Sequence, residues 1–142
     1  MEPRISIITL GVSDLERSLR FYRDGLGFPT TWTAERGIIF FQTRGVCLAL
    51  YPYAALAKDI SDAVPPERQK FNGITLAHNV LTKEEVAKLL KQAEAAGGKI
   101  EKPARDTDWG GHSGYFSDPD GYLWEIAFGA FEFNPDGSLA IT

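Results

Sequence analysis

The tightest constraint on this chain is that it states one local pattern twice. Ile8, Leu10 and Val12 alternate with Ile7, Thr9 and Gly11, the period of a strand with one buried face. Ser13-Asp14-Leu15-Glu16 then reads as a capping box, in which Ser13 caps a helix and Glu16 reaches back. Leu15, Leu19 and Tyr22 follow at helical spacing until Gly25-Leu26-Gly27 ends the run. The second half repeats this order. Ile74, Leu76, His78 and Val80 alternate with Thr75, Ala77 and Asn79, and Thr82-Lys83-Glu84-Glu85 is a second capping box. Val86, Leu90 and Ala93 form the helical stripe, closed by Gly97-Gly98.

Three short strands bounded by turn signals follow each helix, at roughly 30–34, 37–43 and 46–52 and again at roughly 99–104, 112–118 and 121–128. Each half therefore reads as βαβββ. Residues 1–142 form a single domain: module 1 over about 4–53, a connector over 54–71 with Pro65-Pro66, module 2 over about 72–131 and a C-terminal tail over 132–142. Modules this small cannot each bury a sheet face and a helix alone, so they are expected to share one core.

Composition excludes several functions. The chain has 142 residues, 44% of them hydrophobic and 24% charged, ordinary for one globular domain. Apolar runs such as Val46 to Tyr51 fall far short of the roughly 20 residues that span a bilayer, and no signal peptide is evident. A cytoplasmic protein with no membrane partner is expected. Cys47, the single cysteine, rules out an internal disulfide framework and reads as a small buried hydrophobe. A net charge of −4, two histidines and no basic run argue against a nucleic-acid surface and point to a small-molecule partner.

Matching the strand–helix junctions and turn glycines sets Val12 on Val80, Gly45 on Gly121, Ile7 on Thr75 and Ala49 on Glu125. Alternation then turns Ile8, Leu10, Val12, Ile74, Leu76 and Val80 toward the helices. Ile7, Thr9, Thr75, Ala77 and Asn79 are left on the other face, which would line a shared concavity.

With LGVSDLERSLRFYRDGLGF opening one half and GYFSDPDGYLWEIAF closing the other, the chain resembles the vicinal oxygen chelate superfamily, which includes glyoxalase I, extradiol dioxygenases and bleomycin-resistance proteins. The resemblance covers nearly the whole chain. It implies an α+β fold in which tandem βαβββ modules form a cupped mixed β-sheet with helices on the outer face. It also implies a homodimer, since such proteins pair their modules within or across chains; Phe131 and Phe133 look costly to expose on a monomer. Enzymes of the superfamily hold a divalent metal with ligands from four equivalent strand positions, which here carry Ile7, Ala49, Thr75 and Glu125. Ile and Ala ligate nothing, and Thr is a poor ligand beside His or carboxylate. No metal and no cofactor are therefore expected; the alternative is a divalent metal held weakly at Glu125. His78 alternates with Leu76 and Val80 on the helix side and reads as a structural histidine.

Glu125 is the residue that remains to carry chemistry. Pro119-Asp120-Gly121 suits a three-residue hairpin loop with a left-handed glycine, which sets Tyr115 opposite Glu125. A two-residue loop would set Gly114 there and bring His112 to the Glu125 face. The resemblance favours the first register, because extradiol dioxygenases keep a substrate-contacting tyrosine ten residues before their ligand glutamate, as Tyr115 stands to Glu125.

Glu125 and Tyr115 are thus the candidate catalytic pair, with Ile7, Thr9, Ala49, Thr75, Ala77, Asn79 and Trp109 as candidate ligand-binding residues and Trp32 at the rim. Glu125 could instead serve only to hydrogen-bond Tyr115 or Thr75 in the cavity floor, and Trp109 could be edge packing. The leading reading is a glyoxalase/bleomycin-resistance-like protein that binds a small molecule in the sheet cavity. The alternative is a glyoxalase-type lyase or isomerase with Glu125 as general base; a purely structural dimer with a vestigial cup is a third.

Overall fold

The pattern folds as two open sheets in the computed structural model, which describes residues 1, 3, 5–67, 71 and 73–140. The limits placed at 4 and 72, part of the connector and the end of the C-terminal tail lie outside the described residues. In the first sheet β1 (Ile7–Val12) runs parallel to β3 (Cys47–Pro52), with β2 (Ile39–Phe41) antiparallel on the far side of β3. Between β1 and β2, α1 (Leu15–Leu19) passes into a π-helical turn, Arg20–Gly25. α2 (Tyr53–Ile60) leads to the second sheet, of order β4-β7-β6-β5. Its elements are β4 (Thr75–Val80), α3 (Lys83–Ala95), β5 (Lys99–Asp106), β6 (His112–Ser117) and β7 (Leu123–Phe128).

The duplication is visible in the pairing. Ile7 to Val12 oppose Cys47 to Pro52, and Thr75 to Val80 oppose Leu123 to Phe128, both in parallel. Ile7 therefore matches Thr75 and Ala49 matches Glu125, with Gly45 and Gly121 both left-handed at φ 77 and 83°. Leu10, Val12, Leu48 and Leu50 of one sheet and Val80, Trp124 and Ile126 of the other join Leu19, Phe21, Tyr22, Val86 and Leu90 in one core.

Four details differ from the sequence pattern. Among the described residues there is no strand at 30–34. Side chains take over the bonding there: Thr30 Oγ1 donates to the Phe40 carbonyl (2.7 Å) and Trp32 Nε1 to that of Arg36 (2.7 Å), leaving one ladder-like bond, Gln42 N–H to the Pro29 carbonyl (2.8 Å). The first helix is capped by Asp14, whose carboxylate accepts from the Arg17 N–H (2.9 Å), because Ser13 is engaged by Asp120. The second capping box forms as read, with the Thr82 N–H on Glu85 Oε2 at 2.9 Å. The connector is partly helical. α2 packs on β1 and β3, and only glycine fits at position 11, where a Cβ would meet the Tyr53 ring at 2.6 Å. Ile74, read as helix-facing, is 58% exposed beside this seam.

The modules are clamped by Tyr22, fully buried, whose hydroxyl donates to Asp118 Oδ2 (2.7 Å) and accepts from Trp124 Nε1 (3.1 Å). Tyr22→Phe removes a donor from one buried group and an acceptor from another, and is expected to cost about 1–3 kcal/mol in urea unfolding at unchanged slope. A cost within error of zero would show that the clamp does not stabilise the fold.

Candidate functional site

The turn between β6 and β7 decides which side chains share a face. The Gly121 N–H donates to the Asp118 carbonyl (2.8 Å) and the Asp118 N–H to the Tyr122 carbonyl (2.9 Å), closing a three-residue loop. Asp118 Oδ1 also accepts from the N–H groups of Asp120 (3.0 Å) and Tyr122 (2.8 Å). In this register Tyr115 lies directly opposite Glu125, and Gly114 opposite Ile126. Ala77 flanks Glu125 on the other side and Lys102 flanks Tyr115, so one row crosses four strands as Lys102, Tyr115, Glu125, Ala77. Thr75 and Asn79 project on the same face as Ala77, away from Trp124 and Ile126 in the core.

Tyr115 and Glu125 are half-buried. Burial pushes the Tyr115 phenol above its ordinary pKa, followed by its hydrogen bond to Glu125 and that carboxylate's charge. The Lys102 ammonium stands 5.6 Å from the centre of the Tyr115 ring. The row thus offers a carboxylate acceptor, a protonated phenol and a cation on an otherwise small-residue floor.

The remaining candidates are dispersed. Ala49 is fully buried on the sheet side that carries Thr9, and Ile7 is 50% exposed. Thr9 lines a cavity of about 240 Å³ at the seam of β1, β4 and α2, with Tyr53, Leu56, Ile60 and Leu123. Thr75, Ala77 and Asn79 line a larger cleft, about 980 Å³, between β4, the β2–β3 hairpin and the segment from Phe133 to Gly137. Neither cavity is lined by Glu125 or Tyr115. Trp109, 56% exposed, lies over Gly111 and Gly129 with its ring 6.1 Å from that of Phe131. Trp32 packs against the core, and Phe131 and Phe133 are half-buried within the chain.

His78, read as a structural histidine on the helix side, is instead solvent-exposed on the wall of the larger cleft; partial desolvation there lowers its pKa, against the pull of Glu85. His112 is on the opposite face from Tyr115 and pairs through Nδ1 with Asp106 (2.8 Å). Cys47 is free and half-buried, its Sγ 3.6 Å from the Phe41 carbonyl.

The four positions that the resemblance marks as metal ligands carry Ile7, Ala49, Thr75 and Glu125. One carboxylate and one hydroxyl do not make up the three or so N, O or S donors that a catalytic transition-metal site requires. Among the described residues no group of three His, Cys, Asp or Glu could hold a metal ion.

A chain whose two halves repeat one strand–helix–strand order, as βαββ and βαβββ, with parallel strand pairs in matched register, has the architecture of a class of proteins built on paired modules. The family model that matches, over residues 4–126, is that of the Glyoxalase/Bleomycin resistance protein/Dioxygenase superfamily, to which this chain belongs. A solved glyoxalase-related enzyme from Fulvimarina pelagi is 39% identical with a TM-score of 0.87, covering 98% of both chains. Lactoylglutathione lyase from Agrobacterium tumefaciens is 25% identical with a TM-score of 0.67, over 91% of this chain and 96% of that one. The uncharacterized protein YraH of Bacillus subtilis (strain 168) is 28% identical over 123 residues, 84% of this chain and 93% of its own. No helix among the described residues is long and apolar enough to cross a membrane.

Glu125→Gln removes the carboxylate charge beside Tyr115 but not the burial, so the Tyr115 pKa should fall toward the ordinary value without reaching it. Because the folded pKa is raised, the phenol's contribution to stability is present below the pH at which a free phenol titrates and is lost as pH rises through the folded value. NMR titration of ring-labelled tyrosine checks this; an unmoved Tyr115 resonance would place the two groups out of contact in solution.

Proposed function

We propose that this protein binds a small molecule at the Tyr115–Glu125 pair on the non-core face of its second sheet, without the divalent metal that related enzymes use. The supporting observation is the pairing itself: an acid sits mid-strand on a half-buried face, against a phenol and beside Ala77 and Thr75. A carboxylate so placed accepts hydrogen bonds from a ligand's hydroxyl or amine, with the phenol as a second polar contact. The donor set argues against a resident metal. A second reading, a glyoxalase-type lyase or isomerase with Glu125 as general base, is favoured by the likeness to lactoylglutathione lyase.

We further propose a homodimer. Ile7 and Phe40 are 50 and 46% exposed on the non-core face of the first sheet, and Ile74 and Leu81 flank β4, the open edge of the second. Pairing two copies would cover this apolar surface and enclose the face bearing Glu125.

As-purified protein should therefore scatter light as a dimer and carry no stoichiometric zinc, nickel, iron or manganese; a monomer mass, or near-unit metal lost on Glu125→Ala, would refute the corresponding half.

For a ligand found by thermal-shift screening, Glu125→Gln should weaken affinity by about 1.5–3 kcal/mol, the worth of a charge-assisted hydrogen bond, and Tyr115→Phe by about 0.5–1.5 kcal/mol. Unchanged affinity with a lowered ligand-free melting point would instead make the pair structural.

A further inference from the structure

The seam cavity under α2 is chemically unlike the row that contains Glu125. Its walls include Ile8, Leu10, Leu56, Ile60, Leu76 and Leu123, with the side chains of Thr9 and Tyr53 among them, and no charged side chain among the described residues lines it. The Tyr122 hydroxyl at its edge already donates to the Gly11 carbonyl (2.8 Å). At about 240 Å³ the cavity exceeds the roughly 150 Å³ apolar cavity that is known to hold benzene. A charged group placed here would find no counter-charge among the described lining residues, so the cavity suits an apolar body.

The cavity and the carboxylate are linked through β7. Leu123 lines the cavity, and Glu125 projects from the same face two residues on, a separation of roughly 7 Å. The residues beside them on β4 are small: Thr75 opposes Leu123 and Ala77 opposes Glu125, and both are exposed. No bulky side chain of β4 stands between the apolar wall and the acid.

We propose that the seam cavity holds the apolar body of the ligand whose polar group meets Glu125 and Tyr115, which defines the ligand class: one aromatic ring or short branched aliphatic group bearing a hydrogen-bond donor about two carbons away. This rests on the preceding assignment of Glu125 as a ligand contact. α2 is then the roof of the site, and Leu56 and Ile60 set the size of the group admitted.

Fluorine NMR with three probes tests it: 2-(4-fluorophenyl)ethanol as the whole ligand, fluorobenzene as the body and 3-fluoropropan-1-ol as the head. The aryl alcohol should bind at least about tenfold more tightly than either fragment, because it alone uses both contacts. Ile60→Trp, at a position 67% exposed, should weaken the two aromatic probes and spare fluoropropanol. Leu56→Trp should do the same from the other side of the roof, so that one variant remains if the other fails to fold. Glu125→Gln should weaken both alcohols and spare fluorobenzene. If neither tryptophan variant affects the aryl alcohol while Glu125→Gln does, the cavity is not part of the site and this inference falls alone. If Glu125→Gln affects neither alcohol, the assignment of Glu125 falls, and the joint ligand proposed here falls with it.

Discussion

The Asp118–Gly121 turn is the joint on which both the core and the candidate site depend. Its two carboxylates face the first module. Asp118, 4% exposed, takes the Tyr22 hydroxyl on one oxygen and two turn N–H groups on the other. Asp120 takes the Ser13 N–H (2.9 Å), the Ser13 and Ser18 hydroxyls (2.7 and 3.0 Å) and the Arg17 guanidinium (3.0 Å). Burial raises the Asp118 pKa despite its hydrogen bonds. Burial opposes ionisation of Asp120 as well, but its hydrogen bonds from Ser13 and Ser18 and the charge of Arg17 prevail and hold it low. Through the same atoms the turn fixes the β6–β7 register. A slip of one residue would put Glu125 in the core and Trp124 on the other face, so the contacts that clamp the modules also set the acid's position.

That dependence explains what was legible in the sequence. The strand periods, the Thr82 capping box and the left-handed glycines are local signals; turn chemistry favours Tyr115 opposite Glu125, and the family resemblance supports the same register, which the pairing bears out. Failures occur where a distant partner outbids a local one. Ser13 carries the local signature of a cap, yet Asp120, more than a hundred residues away, takes both its N–H and its hydroxyl, and Asp14 caps instead. Thr30 and Trp32 have strand propensity but bond through their side chains to the Phe40 and Arg36 carbonyls. α2 was hidden because its stabilising contact is tertiary, the Tyr53 ring on the bare backbone of Gly11. For the site, sequence specifies faces and rows; the seam cavity depends on where α2 lands and is not written in any period.

The two modules use one geometry for different surfaces. Phe40, Ala49 and Thr9 occupy the row that Tyr115, Glu125 and Ala77 occupy in the second module. Where the second row has a phenol and an acid, the first has a phenyl ring and a methyl group. The paired phenol and acid therefore belong to the second module, while the first keeps one hydroxyl, that of Thr9, beside a phenyl ring and a methyl group.

This asymmetry bears on why an acid persists mid-strand. A structural carboxylate in the pattern of Asp118 is almost fully buried and receives several donors from fixed backbone and side-chain groups. Glu125 is half-buried, and Tyr115 is its neighbour across the hairpin, on the face turned from the core. Replacing it by a β-branched apolar residue would suit the strand better by propensity and by packing beside Ala77. Its matched position shows what a purely structural solution looks like: Ala49, fully buried, with no polar group to satisfy. Unlike Asp118, Glu125 stands on the half-buried face of the hairpin with the Tyr115 hydroxyl beside it, the arrangement on which its proposed role as a ligand contact rests.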